Sequence, residues 1–448
     1  MKLKRTERTQ RTVRFLLNSL TVALLTLYFV HIWQTYYMCH VTYFFWGHVV
    51  YIVLYAATFA VFSHVYGGFD IGTSPTSDII FSQGIAVFFA HFLIYFIMWV
   101  VTKGAVKLSN QIGYFLVSIG IETVLNYLFN RIYYNIFPPK KTLMIYVRED
   151  ESIYERILKY QSDSYDIQKT VSLKEMEGHY DELLDYECIV AVGLYPEQKN
   201  TLAKICYEKK KSLYIVPGIY DVIMNSGRSV YLVDTPVFKV NNFGPSQLEK
   251  IVKRIFDIIF SLVFLVLTSP IILITAIAIR LQDGGPVFYR QTRVTQYGRE
   301  FQIIKFRSMR VDAEKDGHAR LASEHDSRIT KVGAFIRSCR IDELPQLINI
   351  LIGDMSVVGP RPERPELVQE IKKEVPEFDY RLGVKAGLTG YAQVYGKYNT
   401  RLKDKLLFDL IYIEQYSLIL DVRIMFMTFK ILFMKESTEG VAEEKGTV

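Results

Sequence analysis

Apolar residues are not spread evenly along this chain. They gather in four long runs before residue 140 and in one more after residue 250. The first four lie near Phe15–Trp33, Tyr43–Phe62, Ile79–Val101 and Ile112–Ile132. A helix that crosses a bilayer needs about 20 mainly apolar residues, so four transmembrane helices are predicted within residues 1–140. Between residues 141 and 247 the pattern changes. Short apolar runs, TLMIYV, ECIVAVG and SLYIVP, read as buried strands. Charged segments of helical period, ESIYERILKY and EQKNTLAKICYEKKK, separate them. That alternation predicts a small Rossmann-like α/β domain with a parallel sheet. A third region follows at 248–435, and the charged tail 436–448 is expected to be flexible. The expected fold class is therefore membrane α plus α/β.

Composition and charge sharpen this picture. Half of the 448 residues are apolar, with 31 Tyr and 29 Phe, and the net charge is +7. A modest positive charge suits an anionic cytoplasmic leaflet. No basic stripe with interleaved stacking aromatics is present, so nucleic acid is not an expected partner. The basic start, MKLKRTERTQRTVR, predicts a cytoplasmic N-terminus. A signal peptide would need a small-residue cleavage site, and three further spans follow instead. Four spans return the chain to the cytoplasm near Pro138–Lys141. Lys103 and Lys107 in the loop placed outside, and Asp70 and Asp78 in the loop placed inside, run against this topology but are outweighed. Glu122 and Asn126 share one face of the fourth span. Polar groups at membrane depth raise a functional flag, but we read these two as helix–helix glue. Cys39, Cys188, Cys206 and Cys339 show neither disulfide nor metal spacing. In the middle domain the turn after the first strand reads VRED. It lacks the glycine that lets backbone approach a pyrophosphate, so a structural or regulatory role is expected there.

The fifth apolar run, 251–282, reads IVKRIFDIIFSLVFLVLTSPIILITAIAIRLQ. By length it could cross the membrane. Yet Lys253 and Arg254 lie at its start and Arg280 near its end, so both flanks favour the cytoplasm. Ser269 and Pro270 sit inside it. Proline removes a helical hydrogen bond, and the serine hydroxyl could satisfy the freed carbonyl. Two shapes fit these residues, a kinked span and a re-entrant helix that breaks at this pair and leaves on the side it entered.

The chemistry-bearing residues come after it. In FQIIKFRSM, Lys305 and Arg307 project to one side of a predicted strand and could hold a diphosphate. Two basic residues on a strand are more often a solvated face. Arg337, Arg340, Arg361 and Arg364 add positive charge, and the prolines of GPRPERP stiffen the loop that presents Arg361. In RSCRIDELPQLIN, Asp342 and Glu343 stand side by side. Leu344, Leu347, Ile348 and Leu351 follow at helical spacing, and Pro345 suits a first helical turn. The acids then lie at or before a helix N-terminus, where negative charge is favoured. Plain capping explains most such pairs. Magnesium also takes one or two carboxylates together with substrate phosphate oxygens, and a carboxylate can attack phosphorus.

The run from about Lys253 to Lys430 resembles the bacterial sugar transferase family, the monotopic phosphoglycosyl transferases. The landmarks are the apolar helix with Ser269 and Pro270, GPVFYRQ, KFRSM, IDELPQLINIL, GDMSVVGPRPERPE, GLTGYAQVYG and YSLILDVRI. The four spans and the α/β domain resemble the family's long form. The resemblance favours the re-entrant helix. It implies that Asp342 attacks the sugar-bearing phosphate of a UDP-sugar, releasing UMP and leaving a phosphoglycosyl-aspartate. Undecaprenyl phosphate would then take the sugar phosphate. Glu343 would handle protons or share magnesium with Asp342. Lys305, Arg307, Arg337, Arg361 and Arg364 would hold phosphates, and Asp421 matches a family acid without an assigned role. The implied setting is the cytoplasmic face of a bacterial inner membrane, at the first membrane step of exopolysaccharide, capsule or O-antigen synthesis; a homodimer is left open. Three positions depart from the usual pattern: Ala386 for proline, Tyr391 for tryptophan and Lys397 for arginine. Alternative functions are a membrane glycosyltransferase releasing UDP and a membrane scaffold or regulator without enzymatic activity.

Overall fold

The computed structural model describes residues 6–42, 45–147, 151–176, 178–240, 244–311, 326, 328–396 and 400–431. Arg148–Asp150 of the VRED turn, Lys397 and the tail 436–448 lie outside these residues. The chain divides into two compact units, Met1–Val216 and Pro217–Val448.

The first unit begins with four helices: α1 (Glu7–Ile32), α2 (Phe45–Val65), α3 (Thr76–Val101) and α4 (Leu108–Ile136). The Thr6 hydroxyl caps α1 by accepting from the Thr9 N–H at 3.2 Å. All four are long and apolar enough to cross a membrane. They bury an aromatic core in which Phe29 of α1 stacks on Tyr55 of α2, with ring centroids 4.1 Å apart. Exposed residues such as Phe15, Trp46, Phe92 and Leu116 give the bundle an apolar exterior, as lipid requires.

Next come β1 (Lys140–Tyr146), α5 (Glu151–Gln161), β2 (Tyr165–Ser172), a short turn α6 (Leu173–Met176), β3 (Cys188–Val192), α7 (Pro196–Glu208) and β4 (Ser212–Ile215). The strands form one parallel sheet in the order β2-β1-β3-β4. Leu143, Ile145, Ile189 and Ala191 pack on one face and Met144, Cys188 and Val190 on the other. Both faces are buried, as parallel sheets require. The expected α/β arrangement is present. The strand β2 was not foreseen, because it exposes half of YDIQKTVS and carries no apolar run.

The second unit opens with α8 (Ile219–Asn225) and the hairpin β5 (Arg228–Leu232) and β6 (Thr235–Lys239). Val222 of α8 belongs to this unit's core. The long apolar helix is α9 (Gln247–Asp283), started by a reciprocal cap between Ser246 and Glu249 and ended by Gly284 at φ 68°. After it come β7 (Phe288–Val294), β8 (Glu300–Phe306), α10 (Lys331–Ser338), α11 (Gln346–Ile352), β9 (Ser356–Val358), α12 (Pro365–Glu374), β10 (Gly387–Thr389), α13 (Tyr391–Tyr395), α14 (Leu402–Glu414) and α15 (Leu418–Ile431). The strands β7 and β8 are antiparallel, and β9 and β10 are parallel.

The helix α9 is helical throughout, with Pro270 inside. The Ser269 hydroxyl donates to the Val266 carbonyl at 2.8 Å, the acceptor four residues before the proline that would otherwise lose its donor. In its most apolar stretch only 11% of residues are buried, against 22–39% for the other four long helices. Little of its apolar surface is covered by protein. Both ends of α9 are tied to the same unit. Near the start, Arg254 donates to the Ile350 and Leu351 carbonyls at 2.6 and 2.7 Å, and Asp257 accepts from the Val357 N–H at 3.1 Å. At the end, Asp283 accepts from Arg307 at 2.8 Å.

Candidate active site

The Asp342–Glu343 pair is set by local backbone. Helix α10 stops at Ser338, and Arg340 takes a left-handed conformation, φ 55°. A non-glycine residue there is strained and worth a functional question. The chain then makes one 3-10 turn, Ile341–Glu343, and Pro345 leads into α11. The acids thus occupy a tight turn just ahead of the helix that the sequence predicted.

Charge around the pair is uneven. Lys305, near the end of β8, donates to Glu343 at 2.9 Å, and Arg340 stands 3.6 Å from the other Glu343 oxygen. Burial would raise the Glu343 carboxyl, but Lys305, Arg361 and Arg340 outweigh it and hold it down at about 2. Burial, followed by the charge of Glu343, pushes Asp342 up to about 6, against the pull of Lys305, Arg337 and Arg340. Two neighbouring carboxyls separated this far take different tasks. Among the described residues no side chain hydrogen-bonds the Asp342 carboxyl, so it is free to meet a ligand.

Lys305, Arg337 and Arg361 therefore gather at the acids as the sequence suggested. Arg307 does not. Its guanidinium grips both carboxylate oxygens of Asp283 and donates to the Pro286 carbonyl at 2.7 Å. Asp421 is fully buried, bonded to Lys253 at 2.6 Å and accepting from the Tyr412 hydroxyl at 2.8 Å; neither partner touches the acid pair. Arg364 precedes α12 and, with Arg361, adds positive charge beside Arg293.

The Arg361 loop is held by its backbone. Its carbonyl accepts from Arg381 at 2.9 Å, and Arg381 is locked by the buried Asp409 at 2.8 Å. Arg293 donates to the Pro362 carbonyl at 3.1 Å, and the Val294 N–H to that of Glu363 at 3.0 Å. A Cβ on Gly359 would come within 2.3 Å of the Lys385 carbonyl, so only glycine permits this approach.

Sequence reasoning did not single out Asn349. Its side chain accepts from the Ile304 N–H at 3.0 Å and donates to the Gln302 carbonyl at 2.8 Å. It pairs with β8 as a neighbouring strand would, and so fixes the strand of Lys305 against the helix that follows Glu343. An asparagine inside the apolar run LPQLINIL was the available signal. Asn349→Ala should orphan two partly buried backbone groups at a cost of about 1–3 kcal/mol, read as a drop in denaturation midpoint. Ala386, where the family pattern has proline, donates its N–H to Thr295 at 3.1 Å, a bond proline could not make. Tyr391, in place of tryptophan, packs against Tyr395 with centroids 4.5 Å apart.

One or two carboxylates are magnesium's usual protein share, the remaining ligands coming from phosphate and water. Among the described residues no group of three or more His, Cys, Asp or Glu could enclose a metal without substrate. The unpartnered Asp342 carboxyl fits as a ligand; Glu343 is already engaged by Lys305 and Arg340.

A profile of the bacterial sugar transferases matches residues 248–435. A Bacillus subtilis protein, provisionally named an undecaprenyl-phosphate N-acetylgalactosaminyl 1-phosphate transferase, is 50% identical over 132 residues, 30% of this chain and 73% of its own length. The chain belongs to the bacterial sugar transferase family. The UDP-N-acetylgalactosamine-undecaprenyl-phosphate N-acetylgalactosaminephosphotransferase of Aeromonas hydrophila is 43% identical over 189 residues, 42% of this chain and 44% of its own. The UDP-glucose:undecaprenyl-phosphate glucose-1-phosphate transferase of Escherichia coli (strain K12) is 35% identical over 222 residues, 48% of each chain. The chain spans about half the length of such longer curated relatives. The family match falls on the second unit, where the acid pair lies.

Proposed function

We propose that this chain transfers a hexose-1-phosphate from a UDP-sugar to undecaprenyl phosphate, releasing UMP and forming undecaprenyl-diphosphate-sugar. The observation that carries the reading is the unpartnered Asp342 carboxyl beside an ionised Glu343, with Lys305, Arg337, Arg340 and Arg361 around them. An Asp342 oxygen attacks the sugar-bearing phosphorus. The bond from that phosphorus to the bridging oxygen breaks, and UMP leaves with the electron pair. The lipid phosphate oxygen then attacks the same phosphorus and releases the Asp342 carboxylate. Arg337 and Arg361 hold phosphate oxygens and offset charge in both steps. Lys305 keeps Glu343 ionised and in place. Magnesium, when bound at Asp342 and phosphate oxygens, would supply further charge neutralisation.

The proposed setting is the cytoplasmic face of a bacterial inner membrane, as the first membrane step in building a surface polysaccharide. We read α9 as the re-entrant anchor. The ties of both its ends to one unit support that reading, although the backbone stays helical through Ser269 and Pro270, where the sequence predicted a break. It lets one site reach a soluble nucleotide and a lipid phosphate.

Purified chain in lipid nanodiscs, given undecaprenyl phosphate and a panel of UDP-sugars, tests the reaction. UMP release with one of the sugars is expected. Release of UDP would mean a glycosyltransferase, and no turnover with any sugar would favour a scaffold. The ionisation state of Asp342 gives a second check. Only its ionised form attacks, so kcat/KM should rise with pH through a limb near 6 in wild type. Glu343→Gln removes the neighbouring negative charge, and the limb should move to lower pH. It should move down again as magnesium is titrated in. A limb unmoved by either change would detach the rate from Asp342.

A further inference from the structure

Cations collect in the second unit where α9 begins, and one of them is unspent. Lys253 is taken by Asp421 at 2.6 Å, and Arg299 by Asp354 at 2.9 Å. Arg254 caps the far end of α11, donating to the Ile350 and Leu351 carbonyls at 2.6 and 2.7 Å. Lys385 is the exception. Among the described residues its ammonium holds no hydrogen bond and no ion pair. Its backbone is nonetheless fixed. The next residue, Ala386, donates its N–H to Thr295 at 3.1 Å and accepts from the Ser356 N–H at 2.8 Å. Burial, then the charge of Arg254, holds the Lys385 ammonium below the usual lysine range.

Lys385 and Arg254 meet at Gly353, the residue that ends α11 at φ 104°. A Cβ placed on Gly353 would lie 3.3 Å from Arg254 Nη2 and 3.6 Å from Lys385 Nζ. Both nitrogens therefore border one spot. Gly353, Arg254 and Lys385 are each only partly buried, so that spot is open from outside. Arg254 spends two of its five N–H donors on the α11 carbonyls. Three remain, and Lys385 adds three more. The acids that act on Lys385 are Asp257 and Asp354. Asp354 is engaged by Arg299. Asp257 is buried and accepts from the Val357 N–H at 3.1 Å. Set against Arg254 and Lys385, it leaves one positive charge in excess.

The side chains around this spot are apolar and exposed. On α11 they are Ile348 and Ile352, and on α9 they are Ile251, Ile255 and Ile258. Ile251 and Ile258 share the face of Arg254 by helical spacing. A soluble anion gains nothing from such neighbours; the acyl chains of a lipid do. The acid pair stands just ahead of α11 and Gly353 follows it, with seven residues between, about 10 Å of helix. The spot is thus separate from the acids. We propose that Lys385 and Arg254 hold the phosphate of an anionic phospholipid at the base of α9, with its chains along Ile352 and the α9 isoleucines. A lipid such as phosphatidylglycerol carries the single negative charge that balances the excess. This inference requires α9 to lie in the bilayer and is independent of the chemistry at Asp342.

Lipid-linked stability tests this without reference to turnover. The full chain in dodecyl maltoside micelles is melted with increasing phosphatidylglycerol, phosphatidylcholine or glycerol phosphate. Phosphatidylglycerol is expected to raise the melting temperature saturably, by a few degrees, roughly the effect of a ligand well above its dissociation constant. Phosphatidylcholine carries an ammonium that cancels its charge, and glycerol phosphate has no chains. Both should need at least about tenfold more for the same rise. Lys385→Met leaves no polar group unpaired and should move the phosphatidylglycerol midpoint up about tenfold, which is about 1.4 kcal/mol. Lys204→Met, on the exposed face of α7, removes the same charge from the other unit and should move nothing. Equal midpoints for the two lipids would overturn the site. So would an unaltered midpoint in Lys385→Met, or an equal shift in Lys204→Met, which would mean diffuse attraction. Glycerol phosphate as potent as phosphatidylglycerol would mean a site for free phosphate and not for lipid. If Lys385→Met does not fold, equal midpoints for the two lipids on wild type are enough to reject the proposal.

Discussion

Asp342→Asn is expected to lose UMP release by at least about a thousandfold, the scale on which removal of a catalytic nucleophile acts, while remaining folded. Asparagine has the same shape, and among the described residues the Asp342 carboxyl holds no hydrogen bond that the change would break. Removing its charge also relieves the burial cost and the repulsion from Glu343 that, in that order, raise Asp342 in the wild type. Stability should therefore stay within about 0.5 kcal/mol of wild type, as for substitutions away from packed or paired groups. The two readouts together separate chemistry from folding. Wild-type protein quenched with UDP-sugar but without lipid acceptor should carry one hexose phosphate on the peptide containing Asp342. The Asn variant should carry none. Wild-type turnover with no adduct on quenching, or undiminished turnover in the variant, would remove Asp342 from the role of nucleophile.

The parts of this protein that were legible in its sequence are those governed by local pattern. Runs of about 20 apolar residues announce helices in lipid, and α1 to α4 lie where the runs are. Short apolar runs mark strands, and β1, β3 and the edge strand β4 were readable for that reason. The other edge strand, β2, carries no such run and was missed. The acid pair was legible because adjacent carboxylates among cations are unusual in any chain. What escaped depends on contacts distant in sequence. Arg307 looked like a phosphate ligand on the strength of its spacing from Lys305. Its partner is Asp283, 24 residues earlier, and no local pattern reveals that. The same holds for Asn349 and the strand 45 or more residues before it. The segment 217–240 was grouped with the middle domain by its position. Val222 instead joins the core built by α11, α14 and α15, a matter of tertiary packing that composition does not record.

Asp421 supplies the second large effect, and it distinguishes positioning from substrate contact. The family resemblance left Asp421 without an assigned role. In the fold it is buried on α15, with Lys253 of α9 at 2.6 Å and the Tyr412 hydroxyl at 2.8 Å. It thus fastens the membrane helix to the core of the unit that carries Asp342. Removing one partner of a buried ion pair leaves the other charge uncompensated, at a cost of about 3–5 kcal/mol. Asp421→Ala is expected to lose that much, seen as a lower denaturation midpoint and poor recovery from membranes. Asp257, also buried and close enough to act on Asp421 electrostatically, gives Lys253 a second negative neighbour and places the loss toward the lower end. The double change Lys253→Met with Asp421→Leu removes both charges and should recover much of the stability, because buried pairs replaced by apolar groups are often neutral or better. Per folded molecule, kcat and KM for UDP-sugar should stay within a few-fold in the double variant. A stable double variant with KM raised a hundredfold would instead put Asp421 at the substrate, and α9 would then need another fastening.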